Sequence, residues 1–267
     1  MPLTGSTTDI KVPLDQSPRE VQATGARHRA AGGAEMTAHE IITRRNLPHW
    51  YVPGMAHFIT YRLAGTIPIQ VMERLRRERQ KLLKRPPESG NYAAGHKARV
   101  HKQFFASYDQ YLDQPSHINW LARSDVSAII RENLYFHDGQ KYHLLEYCAM
   151  PNHVHVVLQP IESDGLGVVQ PQAEIVSDEM ADGYSPLSSI MHSLKGYTAS
   201  KINALLGRSG QFWQHESYDH WVRDEEELFR IIEYIRQNPV LANLADSAEA
   251  YHCCSARDRA EGIRAKP

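Results

Sequence analysis

The chain has 267 residues, 42% of them hydrophobic, and a formal net charge of −1 at pH 7. This length suits one sizeable domain or two small ones, and the apolar content excludes a chain that is disordered throughout. With three cysteines, two of them adjacent, the chain has neither a disulfide framework nor zinc-binding C-x-x-C pairs, which favours a reducing, cytoplasmic setting. No apolar core follows Met1 and no stretch approaches about 18 apolar residues, so we expect neither secretion nor contact with a membrane.

The N-terminal part divides into an arm and a first strand. Residues 1–46 are rich in Gly, Ala, Thr, Ser and Arg without hydrophobic periodicity, which predicts a disordered arm. A first strand is predicted from Trp50 to Leu63, because the side chains from His57 to Leu63 alternate between two faces. Pro68 then opens a helix.

Two segments carry opposite net charges, although the formal net charge of the chain is near zero. Residues 69–102 contain ten Lys or Arg and three acids, which predicts a basic helical expansion over 69–105. Such a segment is either a solvated helix face or a surface for a polyanion. Residues 161–183 contain six acids and no Lys or Arg among scattered Gly and Pro, which predicts an acidic flexible insert.

Two histidines separated by one residue lie in an apolar run. Tyr147 to Leu158 has the β-branched character of a buried strand with a Pro-Asn turn, so His153 and His155 share one strand face. Paired neutral imidazoles ligate zinc, manganese, nickel and iron alike. The pair alone is equally compatible with two half-buried histidines bonded to the backbone.

A helix and an aromatic link follow the acidic insert. Ser185 to Leu206 carries an apolar stripe between a Ser-Pro start and a glycine stop. Residues 210–223 mix aromatic side chains with Arg, Gln and His. Such a link either stacks on unpaired bases or packs as an ordinary loop.

A second helix is predicted from Asp224, an N-cap, to Asn238-Pro239, which we expect to end it. At about 100° per residue, Arg230, Tyr234 and Asn238 form a polar row beside the apolar stripe. A phenol and an amide therefore share one edge of this helix. A tyrosine that only borders the core would show the same pattern.

Three motifs in this order resemble those of the REP-associated tyrosine transposases, within the single-tyrosine HUH transposases. They are the His153-Val154-His155 strand, the aromatic link with Tyr218-Asp219-His220-Trp221-Val222-Arg223, and Glu233-Tyr234-Ile235-Arg236-Gln237-Asn238-Pro239. The resemblance spans about residues 46–244. It implies one domain over 47–245, followed by a C-terminal tail at 246–267. The long arm, the basic expansion and the acidic insert depart from compact family members.

The resemblance implies an α+β fold, a ferredoxin-like or RRM-like antiparallel sheet with helices packed on one face. It implies a catalytic nucleophile, Tyr234, and a divalent cation, Mg²⁺ or Mn²⁺, held by His153, His155 and Asn238. The implied activity is that of a transposase-like endonuclease and strand transferase that forms a 5′-phosphotyrosyl intermediate. The implied partner is single-stranded DNA with a hairpin such as a repetitive extragenic palindrome, bound in the cytoplasm at the nucleoid by a monomer or homodimer.

Further residues are predicted to contact DNA. The candidates are Lys195, Lys201, Arg223 and Arg230 for the backbone, and Trp213, Tyr218, His220 and Trp221 for bases. Two other functions fit the same residues. One is a DNA- or RNA-binding regulator without chemistry, and the other is a metal-dependent phosphodiesterase that uses activated water and leaves no strand attached to the protein.

Overall fold

A computed structural model of the chain describes residues 41–44, 48–85, 93–114, 116–161 and 185–263. The strands in this part are β1 (Ile41–Arg44), β2 (Pro48–Tyr51), β3 (His57–Arg62), β4 (Tyr142–Ala149), β5 (His153–Pro160) and β6 (Tyr218–Trp221). The helices are α1 (Ile69–Lys84), α2 (Ala93–Leu112), α3 (Ser124–His137), α4 (Pro186–Leu205), α5 (Glu225–Leu241) and α6 (Ser255–Ala260), with a 3-10 turn at Trp120–Ala122.

The main sheet has four antiparallel strands in the order β4-β5-β3-β6. Along the chain its elements follow as β3, α3, β4, β5, α4 and β6, which with this strand order is the ferredoxin-like arrangement. The predicted α+β fold with an antiparallel sheet is therefore confirmed. Because β5 and β3 are the central strands, their side chains are buried on both faces, including the polar ones. Strands β1 and β2 form a separate antiparallel pair.

Helices cover both faces of this sheet. The crossover helices α3 and α4 pack on one face, against side chains such as Ile59 and Val156, as the prediction of helices on one face requires. The opposite face is covered as well. There Phe58 and Val157 pack against apolar side chains of α1, α2 and α5. The basic expansion, which is helical over its described residues, thus buries the second face of the sheet.

The start of α5 follows its sequence signals, but its end does not. Asp224 is the N-cap and accepts a hydrogen bond from the backbone N–H of Glu227 at 2.7 Å. The prediction that Asn238-Pro239 ends the helix is wrong by two residues, since α5 continues to Leu241. A proline in the last turn removes one donor, yet the Ala242 N–H still bonds the Asn238 carbonyl. Asn238 therefore keeps its helical position one turn after Tyr234.

The segment predicted as a C-terminal tail packs onto the sheet between Ala248 and Asp258. The Ala149 N–H donates to the Cys253 carbonyl at 2.9 Å, and the Tyr251 hydroxyl donates to the Ala149 carbonyl at 2.9 Å. The buried carboxylate of Asp258 accepts hydrogen bonds from two tyrosine hydroxyls of the domain. This segment is therefore part of the same core.

Two predictions lie largely outside the described residues, namely the N-terminal arm over 1–46, except β1, and the acidic insert over 161–183, except Ile161. None of the helices in the described ranges combines the length and the hydrophobicity that crossing a membrane requires.

Candidate active site

The two histidines of β5 lie on the face of the sheet that α2 and α5 cover. In the antiparallel register, Thr60 of β3 lies opposite His155, and Arg62 lies opposite His153. The His153 Nε2 and His155 Nε2 atoms are 3.0 Å apart. This spacing follows from the two-residue repeat of a strand, which directs both imidazoles to the same side.

Neighbouring polar groups fix the orientation of both rings. Asn152 donates its amide N–H to the Leu112 carbonyl at 2.9 Å, so its Oδ1 faces His153 Nδ1 at 2.6 Å. An amide oxygen only accepts, and His153 Nδ1 is therefore the donor, leaving a lone pair on Nε2. The Thr60 hydroxyl lies 2.7 Å from His155 Nδ1, and because a hydroxyl can donate to or accept from this nitrogen, it fixes the orientation of the ring and not its tautomer. Both Nε2 atoms point into the site.

Burial keeps both imidazoles neutral. His153 is 1% exposed and His155 is 0% exposed. Burial lowers the pKa of His153 to about 3, and burial together with the neighbouring His153 lowers the pKa of His155 well below its usual value. Neutral imidazole is the form that ligates a metal ion.

Tyr234 and Asn238 reach this pair from α5. The Tyr234 hydroxyl lies 3.4 Å from His155 Nε2, and the Asn238 Nδ2 atom lies 3.3 Å from the same nitrogen. The structure thus brings together the four residues to which the sequence assigned catalysis and metal binding, although Tyr234 follows His155 by 79 positions. The Asn238 amide directs its N–H toward His155, and a half-turn of the amide would direct its oxygen there.

Asp109 of α2 is a fifth member of the site, which the sequence analysis missed. The Tyr234 hydroxyl donates a hydrogen bond to Asp109 Oδ2 at 2.6 Å. The other oxygen, Oδ1, is buried, lies 3.8 Å from His155 Nε2 and has no hydrogen-bond partner among the described residues. Burial raises the pKa of Asp109 to about 7, partly offset by the Tyr234 hydrogen bond and reinforced by Asp113. Burial, and then Asp109, raises the pKa of Tyr234 well above its usual value.

Aromatic rings line the site. The rings of Phe58 and Phe105 meet edge to face with centroids 5.3 Å apart, and Phe105 lies 4.5 Å from the ring of Tyr218. Phe58 also contacts the rings of His155 and Tyr234, at 5.6 and 6.1 Å. These rings keep water away from the phenol and the imidazoles, which strengthens the electrostatic interactions there. Tyr218, predicted to stack on bases, is a buried wall of the site instead.

The predicted contacts on α4 and the aromatic link lie elsewhere. Trp213 is buried in the α3–α4 face of the core, where its indole N–H donates to Thr198 Oγ1 at 2.9 Å. The Lys195 ammonium donates to the backbone carbonyls of Gln214 and His215, and burial lowers its pKa to about 8. Lys201 is exposed on α4. Trp213 and Lys195 thus hold the aromatic link against α4.

The remaining predicted contacts lie at the start of α5. His220 and Arg223 both bond the buried carboxylate of Glu227, at 3.2 Å for His220 Nε2 and 2.7 Å for Arg223 Nη2. Arg230 pairs with Glu226 at 2.7 Å on the exposed side of the helix. Trp221 of β6 is partly buried. In the part of the chain that the structure describes, none of these four side chains makes a hydrogen bond or a ring contact with Tyr234.

The site offers a cation two imidazole ligands and few other ligating groups. Within the described ranges, no group of three or more His, Cys, Asp or Glu side chains is arranged to hold a metal ion. The two Nε2 atoms nevertheless fit one ion, because ligands about 2.1 Å from an ion and at a right angle are about 3.0 Å apart. The unpartnered Asp109 Oδ1 adds negative charge beside them. A site here would need Asn238 and water as further ligands, as Mg²⁺ and Mn²⁺ accept.

Comparisons with known proteins add little to this geometry. No family model matches the chain. An uncharacterized protein of Haemophilus influenzae is 31% identical over 100 residues, which are 36% of this chain and about half (53%) of that protein. A solved structure of a REP-associated tyrosine transposase bound to a REP hairpin aligns over 81% of this chain and 86% of its own, with 15% identity and a TM-score of 0.38. An alignment at this level establishes neither a shared fold nor a shared function.

Proposed function

We propose that the protein is an endonuclease and strand transferase for single-stranded DNA, with Tyr234 as the nucleophile. One observation carries the proposal: the Tyr234 hydroxyl donates to Asp109 Oδ2 at 2.6 Å and lies 3.4 Å from His155 Nε2, beside His153. A phenol in this position has a proton acceptor on one side and a pair of metal-binding nitrogens on the other.

The proposed reaction is a transesterification at phosphorus. The Tyr234 oxygen attacks the phosphorus of a phosphodiester, and its proton passes to Asp109 Oδ2 as the new bond forms. The bond from phosphorus to the 3′-oxygen of the preceding nucleotide breaks, and that oxygen takes a proton from water. The products are a 5′-phosphotyrosyl strand and a free 3′-hydroxyl. Because the ester bond is conserved, a 3′-hydroxyl rejoins the strand by the reverse attack without nucleotide hydrolysis.

The other residues hold a cation and orient its ligands. His153, His155 and the amide oxygen of Asn238 are the proposed ligands of Mg²⁺ or Mn²⁺, which when bound neutralises charge on the attacked phosphate. Thr60 and Asn152 fix the two imidazoles through their Nδ1 atoms, so that the Nε2 lone pairs converge.

The proposed substrate is a single strand that carries a hairpin, such as a repetitive extragenic palindrome. This part of the proposal rests on the motif order that resembles the REP-associated tyrosine transposases. A hairpin beside the cut site would fix the register of the strand, because the described part of the active site has too few polar groups to read several bases.

The test is a denaturing gel of the protein incubated with a labelled single-stranded hairpin oligonucleotide and Mn²⁺. We expect a protein-linked strand for the wild-type protein, none for Tyr234→Phe, and an unchanged amount for Tyr197→Phe, since Tyr197 is exposed on α4. An adduct that survives Tyr234→Phe refutes the nucleophile assignment. A cut strand without an attached protein would instead identify a phosphodiesterase that uses water.

Nucleic-acid binding without cleavage is a second candidate function. One observation favours it: His155 is 0% exposed and Asn238 is 4% exposed. With these ligands buried under α2, a protein that binds nucleic acid without cutting it would show the same closed site. Hydrogen exchange distinguishes the DNA-cutting enzyme from the binding protein. Catalysis requires α2 to open, so the amides of residues 104–112 should exchange faster once the oligonucleotide is bound. Unchanged exchange together with no cut favours the binding protein.

A further inference from the structure

A small cavity lies next to the candidate active site, on the same face of the sheet. Its volume is about 270 Å³, and its polar lining consists of Arg62, Arg76, Tyr108, Gln214 and Glu216. At about 30 Å³ per water molecule, this volume holds a phosphate group with several waters.

The cavity contains more positive than negative charge. Arg62 is 2% exposed, and its Nη1 atom donates to neutral oxygens only, at Thr66 Oγ1 (3.1 Å) and the Leu63 carbonyl (3.4 Å). No carboxylate of the described ranges lies within ion-pair distance of it. Arg76 pairs with Glu216 at 2.8 Å, but its buried Nε has no hydrogen-bond partner in the described part of the chain. Two guanidinium groups therefore face one carboxylate.

A buried guanidinium with no carboxylate at ion-pair distance is costly, and a bound anion would offset that cost. Burial lowers the pKa of Arg62, an effect that Tyr108 partly offsets. Planar guanidinium groups bind phosphate oxygens in a two-pronged manner, and an unused Nε donor is one of the groups that such contacts employ. The chemistry of the cavity therefore fits a phosphate group.

The cavity adjoins the proposed nucleophile through two pairs of neighbours. Arg62 lies directly opposite His153 on the neighbouring strand, and such cross-strand pairs have Cβ atoms about 5 Å apart. On α2, Tyr108 lines the cavity, and the next residue, Asp109, holds the Tyr234 hydroxyl. A strand whose phosphate lies at Tyr234 thus has a place for an adjacent phosphate here.

We propose that this cavity is a subsite for a backbone phosphate of the nucleic-acid strand, next to the phosphate that Tyr234 attacks. The proposal rests on the proposed function, because it takes the position of the attacked phosphate from it. Arg62 and Arg76 bind the phosphate oxygens, and Glu216 holds Arg76 in place before the strand binds.

The probe is thymidine 3′,5′-bisphosphate, titrated into the full-length protein by calorimetry with a chelator present, so that no cation contributes. Arg62→Gln and Arg76→Gln should each weaken its binding by about tenfold, as expected for the loss of a charged hydrogen bond to phosphate. Arg123→Gln is the matched control. Arg123 is an exposed arginine at the start of α3, where it pairs with Asp125, and its replacement should leave binding unchanged.

Circular dichroism shows whether Arg62→Gln folds; if it does not, the partly exposed Arg76 decides the question alone. Unchanged binding by the folded variants overturns the subsite. Inorganic phosphate that binds as tightly as the bisphosphate also overturns it, because the cavity would then be a site for free phosphate. These outcomes are independent of adduct formation by Tyr234, so failure of the subsite and failure of the nuclease proposal are distinguishable.

Discussion

Replacing Asp109 by asparagine should stabilise the cation-free protein while impairing its chemistry. The introduced amide has nearly the same shape as the carboxylate, and its oxygen still accepts the hydrogen bond that the Tyr234 hydroxyl gives to Asp109 Oδ2. The substitution removes a carboxylate that is only 14% exposed and that has no cationic partner at hydrogen-bond distance among the described residues. The N–H of the introduced amide can also donate toward the lone pair of His155 Nε2, which the carboxylate cannot do when it is ionised.

The size of this stabilisation follows from the pKa of Asp109, which burial raises from 3.8 to about 7. Between these two values the folded protein keeps a proton that the unfolded chain has lost, so the free energy of unfolding decreases as the pH rises through this window. A shift of about three pKa units corresponds to about 4 kcal/mol. The asparagine variant lacks this penalty. Its advantage over the wild-type protein should be near zero at pH 4 and should approach about 4 kcal/mol, as an upper bound, at pH 8.

Urea denaturation in a chelating buffer at pH 4, 6 and 8 measures this difference. Glu132→Gln, at an exposed position of α3, is the control and should change the free energy of unfolding little. Adduct formation by Asp109→Asn should decrease by at least about 100-fold, the usual effect of losing a general base. A stability difference that is constant from pH 4 to pH 8 would refute the buried, unpaired carboxylate, and full activity would refute its role as a proton acceptor.

Three further substitutions test other contacts. Thr60→Val removes the partner of His155 Nδ1 and should weaken Mn²⁺ binding by about tenfold in calorimetry, with little loss of stability. Glu227→Gln should lower the free energy of unfolding by about 3 kcal/mol in urea near pH 7, because a buried carboxylate that binds Arg223 is lost. Burial opposes ionisation of Glu227, yet its hydrogen bonds lower its pKa, so this difference should shrink below pH 4.5. Trp213→Ala should lower the free energy of unfolding by about 3–5 kcal/mol, because it leaves a cavity in the core. The melting temperature should therefore fall, while the DNA affinity of the folded fraction stays unchanged.

The sequence predicted most of the fold because its signals are local. The alternation around β3 and the Ser-Pro and Asp-x-x-Glu starts of α4 and α5 each depend on a few adjacent residues. Where a signal depended on tertiary context, the prediction was less accurate. Pro239 lies inside α5, where the Ala242 N–H still bonds the Asn238 carbonyl, and residues between Ala248 and Asp258 pack on the sheet through contacts that no local pattern encodes.

In the candidate site, the sequence predicted the residues that share a strand face or a helix edge with another site residue, and it missed Asp109 of α2. His153 and His155 share a strand face, and Tyr234 and Asn238 share a helix edge, so periodicity alone groups each pair. Asp109 has no such partner in the sequence. Its contact with Tyr234 depends on how α2 packs over the sheet. The sequence contained only a weak indication that Arg62 is functional, namely a charged residue in an apolar strand, on the same face as Thr60.

Helix α2, which extends beyond the basic expansion, contributes two consecutive residues to the site and its neighbouring cavity. Two exposed arginines of the basic expansion, Arg74 and Arg77, pair with Glu78 and Glu73 of the same helix, and such pairs contribute little to stability. Helix α2 instead supplies Asp109 to the nucleophile and Tyr108 to the neighbouring cavity. Because these two residues are consecutive, any movement of α2 displaces the proposed proton acceptor and the proposed phosphate subsite together.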